Sequence, residues 1–430
     1  MMLEALLIFI VGLFITIALG IPTVYGLGIV SLVYLFIHRG FEFPPSLFVV
    51  PIVNSVNSFL LLAVPLFFFV GRLMNECGLT DRLFAFANSL VGHIRGGLGH
   101  VNVLNSMIFA GMSGSATADA AGPGAVEYKA MIDQGYSPEF SAGVSLASSM
   151  IGPIIPPSIP VLIYASITEI SATGLLMAGL LPGILIGLLQ MSLVAYYCRK
   201  MSKRRRATLK EIGTAFKRSF LTLLTPFILV VGIGAGIFTA TEAAAVAAFY
   251  LIVLATVVYR TVSFKQIVSI CRGVIVDTAV VMFLLATATF YGWMLTRLRI
   301  PAAILENLLS FSTNPYVIIS IVVAFLLAMG CFFSTAVGLV IVAPIVAPIA
   351  VAAGFNPIHF GIIVIITMVI GTATPPVGSS LYAMVQVTRI PMEKVVRGTL
   401  PFLYITIAAI AIVILVPPIA MFFPKLLLGR

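Results

Sequence analysis

Four short stretches concentrate the hydroxyls, glycines and prolines that could do chemistry inside an apolar chain: GMSGSATADAAGPG (111–124), SSMIGPIIPPSIP (148–160), GCFFSTAVG (330–338) and GTATPPVGSS (371–380). They hold hydroxyls, glycines and prolines, and one carboxylate, Asp119, but no histidine and no base. Such a set suits ion coordination better than bond breaking. Proline removes a backbone donor and breaks a helix, which frees carbonyl oxygens. Those oxygens, with nearby Ser and Thr hydroxyls, suit Na⁺, while helix N-termini suit an anion. One cation site is expected from Ser113, Ser115 and Thr117 with Gly152. Its counterpart is expected from Ser334 and Thr335 with Thr372 and Thr374. Solute contacts are expected from Ser115, Thr117, Asp119, Pro156, Pro157, Pro375, Pro376 and Gly378. Asp119 either caps a helix within its hairpin or neutralises a cation. The plainer alternative for the hydroxyls is bonding to carbonyls one turn back, in kinks that only shape packing.

The surroundings are membrane-spanning. The 430 residues are 61% hydrophobic and 9% charged, where a soluble chain has about 25% charged residues. Apolar runs near the ~20 residues a bilayer demands recur along the chain. The net charge of +10 resides in short loops, above all CRKMSKRRRATLKEIGTAFKR (198–218), which marks the cytoplasmic side rather than a nucleic-acid partner. The first residues, MMLEALLIFIVGLF, lack the basic start of a signal peptide and read as a retained span. Four scattered cysteines and four dispersed histidines suggest neither disulfides nor a metal cluster. No Walker sequence or GxSxG elbow is present, so the chain is not expected to be an enzyme and no cofactor is expected beyond a coupling ion. Segments 44–59 and 263–278 mix polar and apolar positions, as either amphipathic surface helices or connecting loops do. Glu242 reads as a helix start, His359 as structural, Trp293 as an interfacial anchor. Arg297 and Arg299 read as a span end, with a carboxylate clamp as the alternative.

The elements that position these stretches are duplicated. At one offset of 219 residues, Gly111 meets Gly330, Ser115 meets Ser334 and Gly135 meets Gly354. Pro138 then meets Pro357, Gly152 meets Gly371, and Pro156–Pro157 meets Pro375–Pro376. The chain is therefore expected to be an all-α polytopic membrane protein built as an inverted repeat, 1–198 and 219–430, joined by a basic linker, 199–218. Each copy should carry a re-entrant helical hairpin (about 105–130 and 325–350) and a broken helix (about 139–166 and 358–386). Repeats broken at matching places are the mark of secondary transporters, with the site where the breaks meet.

GMSGSATADAAGPG, SSMIGPIIPPSIP, FTATEAAAVAAFY and GTATPPVGSSLYAM, in this order, resemble the large (DctM-type) membrane subunit of tripartite ATP-independent periplasmic (TRAP) transporters. The resemblance covers essentially the whole chain. It implies the ion-transporter superfamily fold, an elevator movement, and Na⁺-coupled uptake across the bacterial inner membrane. It implies carboxylate solutes: dicarboxylates, keto acids, or sugar acids such as sialic acid. It also implies two partners, a small four-helix membrane subunit, here expected as a separate chain, and a periplasmic binding protein. The family's cation sites fall on the hairpin tips and unwound loops named above, and the resemblance adds Gly114 and Gly371 to the two sets. The aromatic GCFFSTAVG departs from GMSGSATAD and implies fewer hydroxyls and more backbone at the second hairpin. Other readings are a stand-alone H⁺- or Na⁺-driven anion carrier of the same superfamily, or a channel.

Overall fold

The structure is a computed structural model that describes residues 2–39, 44–202 and 205–428. Side chains at 2–6, 39, 111–113 and 428 lie outside the described set, and with them the hydroxyl expected of Ser113. Every regular element among the described residues is helical, and eight helices are long and apolar enough to cross a membrane. In order, the first half holds α1 (Met2–Ala18), α2 (Thr23–Arg39), α3 (Ser46–Val56), α4 (Ala63–Glu76) and α5 (Leu79–Val91). Then come α6 (Gly97–Ser113), α7 (Ala116–Ala121), α8 (Pro123–Asp133), α9 (Pro138–Ser149), α10 (Ile159–Thr168), α11 (Ala172–Ala178) and α12 (Leu180–Tyr197). The second half holds α13 (Leu209–Gly234), α14 (Ala240–Val253), α15 (Phe264–Arg297), α16 (Ile300–Phe311), α17 (Pro315–Phe332) and α18 (Thr335–Ala352). It closes with α19 (Pro357–Gly371), α20 (Ser379–Thr388), α21 (Met392–Leu415) and α22 (Pro418–Leu428).

Local signals explain where these helices begin. Thr208 with Glu211, Thr239 with Glu242, and Ser263 with Gln266 form reciprocal capping boxes at α13, α14 and α15. Glu242 is thus a helix start. Ser137 and Asn356 cap α9 and α19, each followed by proline at the first helical position, where its missing N–H costs nothing. His359 is buried at the start of α19, its Nε2 2.9 Å from the Val413 carbonyl, which makes it structural.

Three expectations change. Segment 263–278 is not a separate surface helix: it opens the uninterrupted 34-residue α15, because its capping box starts a helix that nothing stops before Arg297. The corresponding stretch of the first half is divided into α3 and α4 by Asn57 and Ser58. Both hairpins reach further than 105–130 and 325–350. α17 and α18 have 18 residues each, about 27 Å at ~1.5 Å per residue, and each is long enough to cross a bilayer. Finally, the offset is not constant. α9 and α19 begin 219 residues apart, but α10 and α20, and their C-caps Glu169 and Arg389, lie 220 apart. One residue is inserted after the doubled proline of the second break.

Packing crosses between the halves. α6 lies on α9 and α17 on α19, so each hairpin's first arm rests on the first half of its own broken helix. The second arms pair across: α7 and α8 contact α20, while α18 contacts α10. Around this body, α15 packs against α2, α3 and α4. Arg72 on α4 and Asp277 on α15 join the two halves by an ion pair, with Nε and Nη2 both 2.7 Å from Oδ2. Apolar side chains at helical spacing fill the space between elements, and many of α19's residues are fully buried.

Candidate functional site: two broken helices and the hairpins that cross them

Both breaks exist as real interruptions of helix. α9 ends at Ser149 and α10 starts at Ile159; α19 ends at Gly371 and α20 starts at Ser379. Their cause is the position of proline. In a helix the carbonyl of residue i takes its hydrogen bond from the N–H of i+4. Pro153, Pro156 and Pro157 stand four residues after Ser149, Gly152 and Pro153, so those carbonyls lose that donor. Pro375 and Pro376 do the same to Gly371 and Thr372. The chain repairs part of the loss. Ser158 Oγ donates to the Pro153 carbonyl and also caps α10 by accepting from Val161 N at 3.3 Å. The Thr372 carbonyl accepts from the Ser380 N–H at 3.0 Å, and Gly371 from Thr374 N at 2.9 Å. Among the described residues no hydrogen bond reaches the carbonyls of Ser149 or Gly152.

At the first hairpin the chain turns through Gly114, whose φ of +60° is the left-handed region that side chains disfavour. An ideal Cβ there would stand 3.1 Å from Ile159 N, so the turn rests on the start of α10. Ser115, rather than Asp119, is the N-cap of α7, accepting from Ala118 N at 3.4 Å. Asp119 is buried, and its carboxylate lies against Gly152, where any Cβ would collide with Oδ2. Glycine at 152 is therefore demanded by a neighbouring carboxylate, and that carboxylate lies beside the freed carbonyls of the first break.

Thr117, on the same short helix, reaches the opposite half. Its Oγ1 lies 3.2 Å from Ser380 Oγ, which in turn lies 3.1 Å from Thr372 Oγ1. Thr372 also donates to the Val369 carbonyl at 2.7 Å. This chain of three hydroxyls ties hairpin α6–α8 to the second break. Thr374, by contrast, bonds its own i−4 carbonyl, Ile370, at 2.9 Å.

The second hairpin touches the second break through backbone. Gly378 N–H donates to the Cys331 carbonyl at 2.7 Å. α17 and α19 cross at Gly330 and Gly371, where a Cβ on Gly371 would come 2.5 Å from Gly330 Cα. Ser334 is exposed and makes no capping bond, and Thr335 is half-buried in the first turn of α18. Pro156 and Pro157 are buried in the first break, whereas Pro375 is half-buried and Pro376 exposed in the second. Both doubled prolines are joined by cis peptides.

The structure thus gathers Gly114, Asp119 and Gly152 in one place and Thr117, Thr372 and Gly378 in another. Ser380 and Ser158 belong to these places and escaped the sequence reading. Ser380 stood within the quoted GTATPPVGSS, but only the fold shows that it meets Thr117. A cavity of about 740 Å³ lies between α3 and α15 on one side and α18 and the C-terminal end of α10 on the other, and none of these site residues lines it. Asn54, Ser55, Ser166, Glu169, Thr289 and Trp293 contribute to its lining. Trp293 contributes to the cavity wall, with the Arg297 guanidinium 5.2 Å from its ring centroid. Arg297 also ends α15, as its reading as a span end requires.

Comparison with known proteins agrees with this architecture. Residues 10–419 match the family described as the tripartite ATP-independent periplasmic transporter, DctM component. The sialic acid TRAP transporter large permease protein SiaM of Vibrio cholerae is 38% identical over 414 residues, which cover 95% of this chain and 96% of the relative. The C4-dicarboxylate TRAP transporter large permease protein DctM of Pseudomonas aeruginosa is 36% identical over 378 residues, 86% of this chain and 88% of the relative. Among solved structures, the YdaH transporter of Alcanivorax borkumensis superposes with a TM-score of 0.64 at 13% identity, covering 93% of this chain and 89% of its own, a likeness of fold alone.

Proposed function

The chain belongs to the family of the DctM component of TRAP transporters, multi-pass permeases of the bacterial inner membrane, and from that premise we propose that it uses a Na⁺ gradient to import a carboxylate. Family membership carries solute uptake through a tripartite transporter; the ion, the solute class and the movement are the proposal. Two relatives named for sialic acid and for C4-dicarboxylates both handle carboxylates, which supports that solute class. The proposed partners are a small four-helix membrane subunit and a periplasmic binding protein that delivers the solute.

One observation carries the reading: the hydroxyl of Thr117 meets Ser380 and Thr372 of the other half, at a break. Hydroxyl and carbonyl oxygens are hard ligands of the kind Na⁺ takes, and the breaks supply both. The proposed cation ligands are Ser113, Gly114, Ser115 and Gly152 at one break and Ser334, Thr335, Gly371, Thr372 and Thr374 at the other, now joined by Ser380 and by Thr117 of the first hairpin. An ion held by Thr117 and Thr372 together ties a hairpin of one half to a break of the other. Na⁺ then favours the arrangement in which the solute's contacts are assembled, and the two ligands are coupled by that difference. Ser115, Thr117, Asp119, the proline pairs and Gly378 are the proposed solute surroundings. Arg297, beside the cavity wall, supplies a positive charge that a carboxylate meets on its way. The hairpins and broken helices form the moving body, and the cavity between α3/α15 and α10/α18 lies on the seam along which it slides.

The test is uptake into proteoliposomes holding this chain with its small subunit, with binding protein added. Radiolabelled succinate and N-acetylneuraminate serve as probes, in Na⁺ or choline at fixed pH and potential. Uptake of at least one probe in Na⁺ alone is expected. Equal uptake in choline refutes the coupling, and equal uptake without the binding protein refutes the tripartite delivery.

A further inference from the structure

The core of the first hairpin contains a polar cluster that the second hairpin lacks. Glu127 on α8 is 2% exposed, and Asn105 Nδ2 on α6 donates to its Oε1 at 2.6 Å. Asn105 is itself 1% exposed, and its Oδ1 is buried with no hydrogen-bond partner. Nearby on the same hairpin face, Asn102 donates to Ser145 Oγ on α9 at 2.7 Å. Among the described residues no cation lies within ion-pair distance of Glu127.

The duplication provides an internal control. At the offset of 219, Val346 stands where Glu127 does, Ala324 for Asn105, Ile321 for Asn102 and Val364 for Ser145. The second hairpin and its broken helix therefore close the same fold with apolar side chains, and Val346 is fully packed. The architecture does not need a carboxylate at this place. A charged group inside a membrane body is costly unless paired, and such groups mark ion paths.

We propose that Glu127, held by Asn105, is an ion site distinct from the hairpin tips and that its ligand is a proton. Loading takes one proton from water and forms an O–H bond on a Glu127 carboxylate oxygen; unloading returns it. The acid form is neutral and can be carried within the moving hairpin, whereas among the described residues the carboxylate has one neutral donor, Asn105. Titratable groups on the elements packed around Glu127 are Asp119 on α7, His100 on α6, Glu139 on α9 and Tyr382 on α20, with Tyr128, Lys129 and Asp133 on α8 itself. A proton fits the surroundings better than a metal ion, because the neighbouring polar atoms are already bonded elsewhere: Asn102 Nδ2 donates to Ser145 Oγ, and Asn102 Oδ1 accepts from Ser148 Oγ. The site rests on the transport reading for its purpose but not for its detection.

Infrared difference spectroscopy of the purified full-length chain in lipid tests it without any solute. Wild type and Glu127→Gln are compared in sodium-free buffer at neutral pH. A carboxylic-acid C=O band present in wild type and lost in Glu127→Gln is expected, and Asn105→Ala should shift that band to higher frequency by removing its hydrogen bond. The double change Glu127→Val with Asn105→Ala copies the second hairpin and keeps the comparison available if Glu127→Gln does not fold. No difference band at neutral pH shows an ionised Glu127 and overturns the proposal. So does loss of the wild-type band on adding NaCl, which makes Glu127 a sodium ligand. Absence of calorimetric Na⁺ binding with the band intact overturns the Na⁺ reading of the hairpin tips and leaves this site standing.

Discussion

Replacing Thr117 with valine removes one oxygen from the link between the halves and keeps the side chain's shape. Its Oγ1 lies 3.2 Å from Ser380 Oγ, and Ser380 lies 3.1 Å from Thr372. If the three hydroxyls only bond one another, the substitution costs the net worth of a neutral hydrogen bond, about 0.5–1.5 kcal/mol of stability. Na⁺ affinity is then unchanged. If Thr117 faces an ion, the lost interaction is with a full charge, about 1.5–3 kcal/mol. At ~1.4 kcal/mol per decade this weakens Na⁺ binding about ten- to a hundredfold. We expect the second result, with Ser380→Ala giving a comparable loss and the double variant losing less than the sum, because the two oxygens act as one unit. Calorimetric titration of the purified chain with NaCl, against choline chloride, measures all three. Unchanged isotherms in both single variants, together with lowered thermal midpoints, would refute the ion reading and leave the hydroxyls as packing.

Other consequences follow from the same geometry. Gly371→Ala puts a Cβ 2.5 Å from Gly330 Cα, with backbone on both sides; we expect overpacking of about 1–3 kcal/mol, read as a lower thermal midpoint, and weakened Na⁺ binding from the displaced second break. Thr372→Ala should weaken Na⁺ more than Thr374→Ala, since both hydroxyls bond back to their own turn but Thr372 also meets Ser380 and, through it, Thr117 of the other half, and calorimetry again decides. Breaking the Arg72–Asp277 pair on one side, by Arg72→Met or Asp277→Asn, should lower thermal stability more than both changes together, because a single change strands a charge between membrane helices. Maleimide should label Cys271 quickly and Cys77, Cys198 and Cys331 slowly, since Cys271 alone among the four is exposed. Burial pushes the Cys77 and Cys198 thiols up to about 11, so their reaction should quicken as pH rises through the alkaline range; mass spectrometry of labelled peptides reads the order.

What the sequence determined by itself was local or periodic. The polytopic character follows from recurring apolar length, the starts of α9 and α19 from Ser137–Pro138 and Asn356–Pro357, and the breaks from prolines placed four residues after Gly152 and Gly371. Each of these is set by backbone groups a turn apart, so no distant residue is needed to read it. The sequence was weaker where a local signal had two outcomes. Segment 263–278 is polar enough for a surface helix, yet nothing stops the helix that Ser263 begins. The inserted residue after Pro376 is invisible to a comparison that stops at the matched prolines, and it surfaces only because α20 begins 220 residues after α10. The site itself was decided by tertiary structure. Asp119 belongs with Gly152, and Thr117 with Thr372 through Ser380, because α7 packs across onto α20 while α18 packs onto α10. Glu127 and Asn105 lie 22 positions apart on two arms, and only the closing of the hairpin brings amide to carboxylate. Side-chain hydrogen bonds between elements depend on how helices are placed and turned, which is fixed by burial summed over the whole chain and written in no single stretch of it.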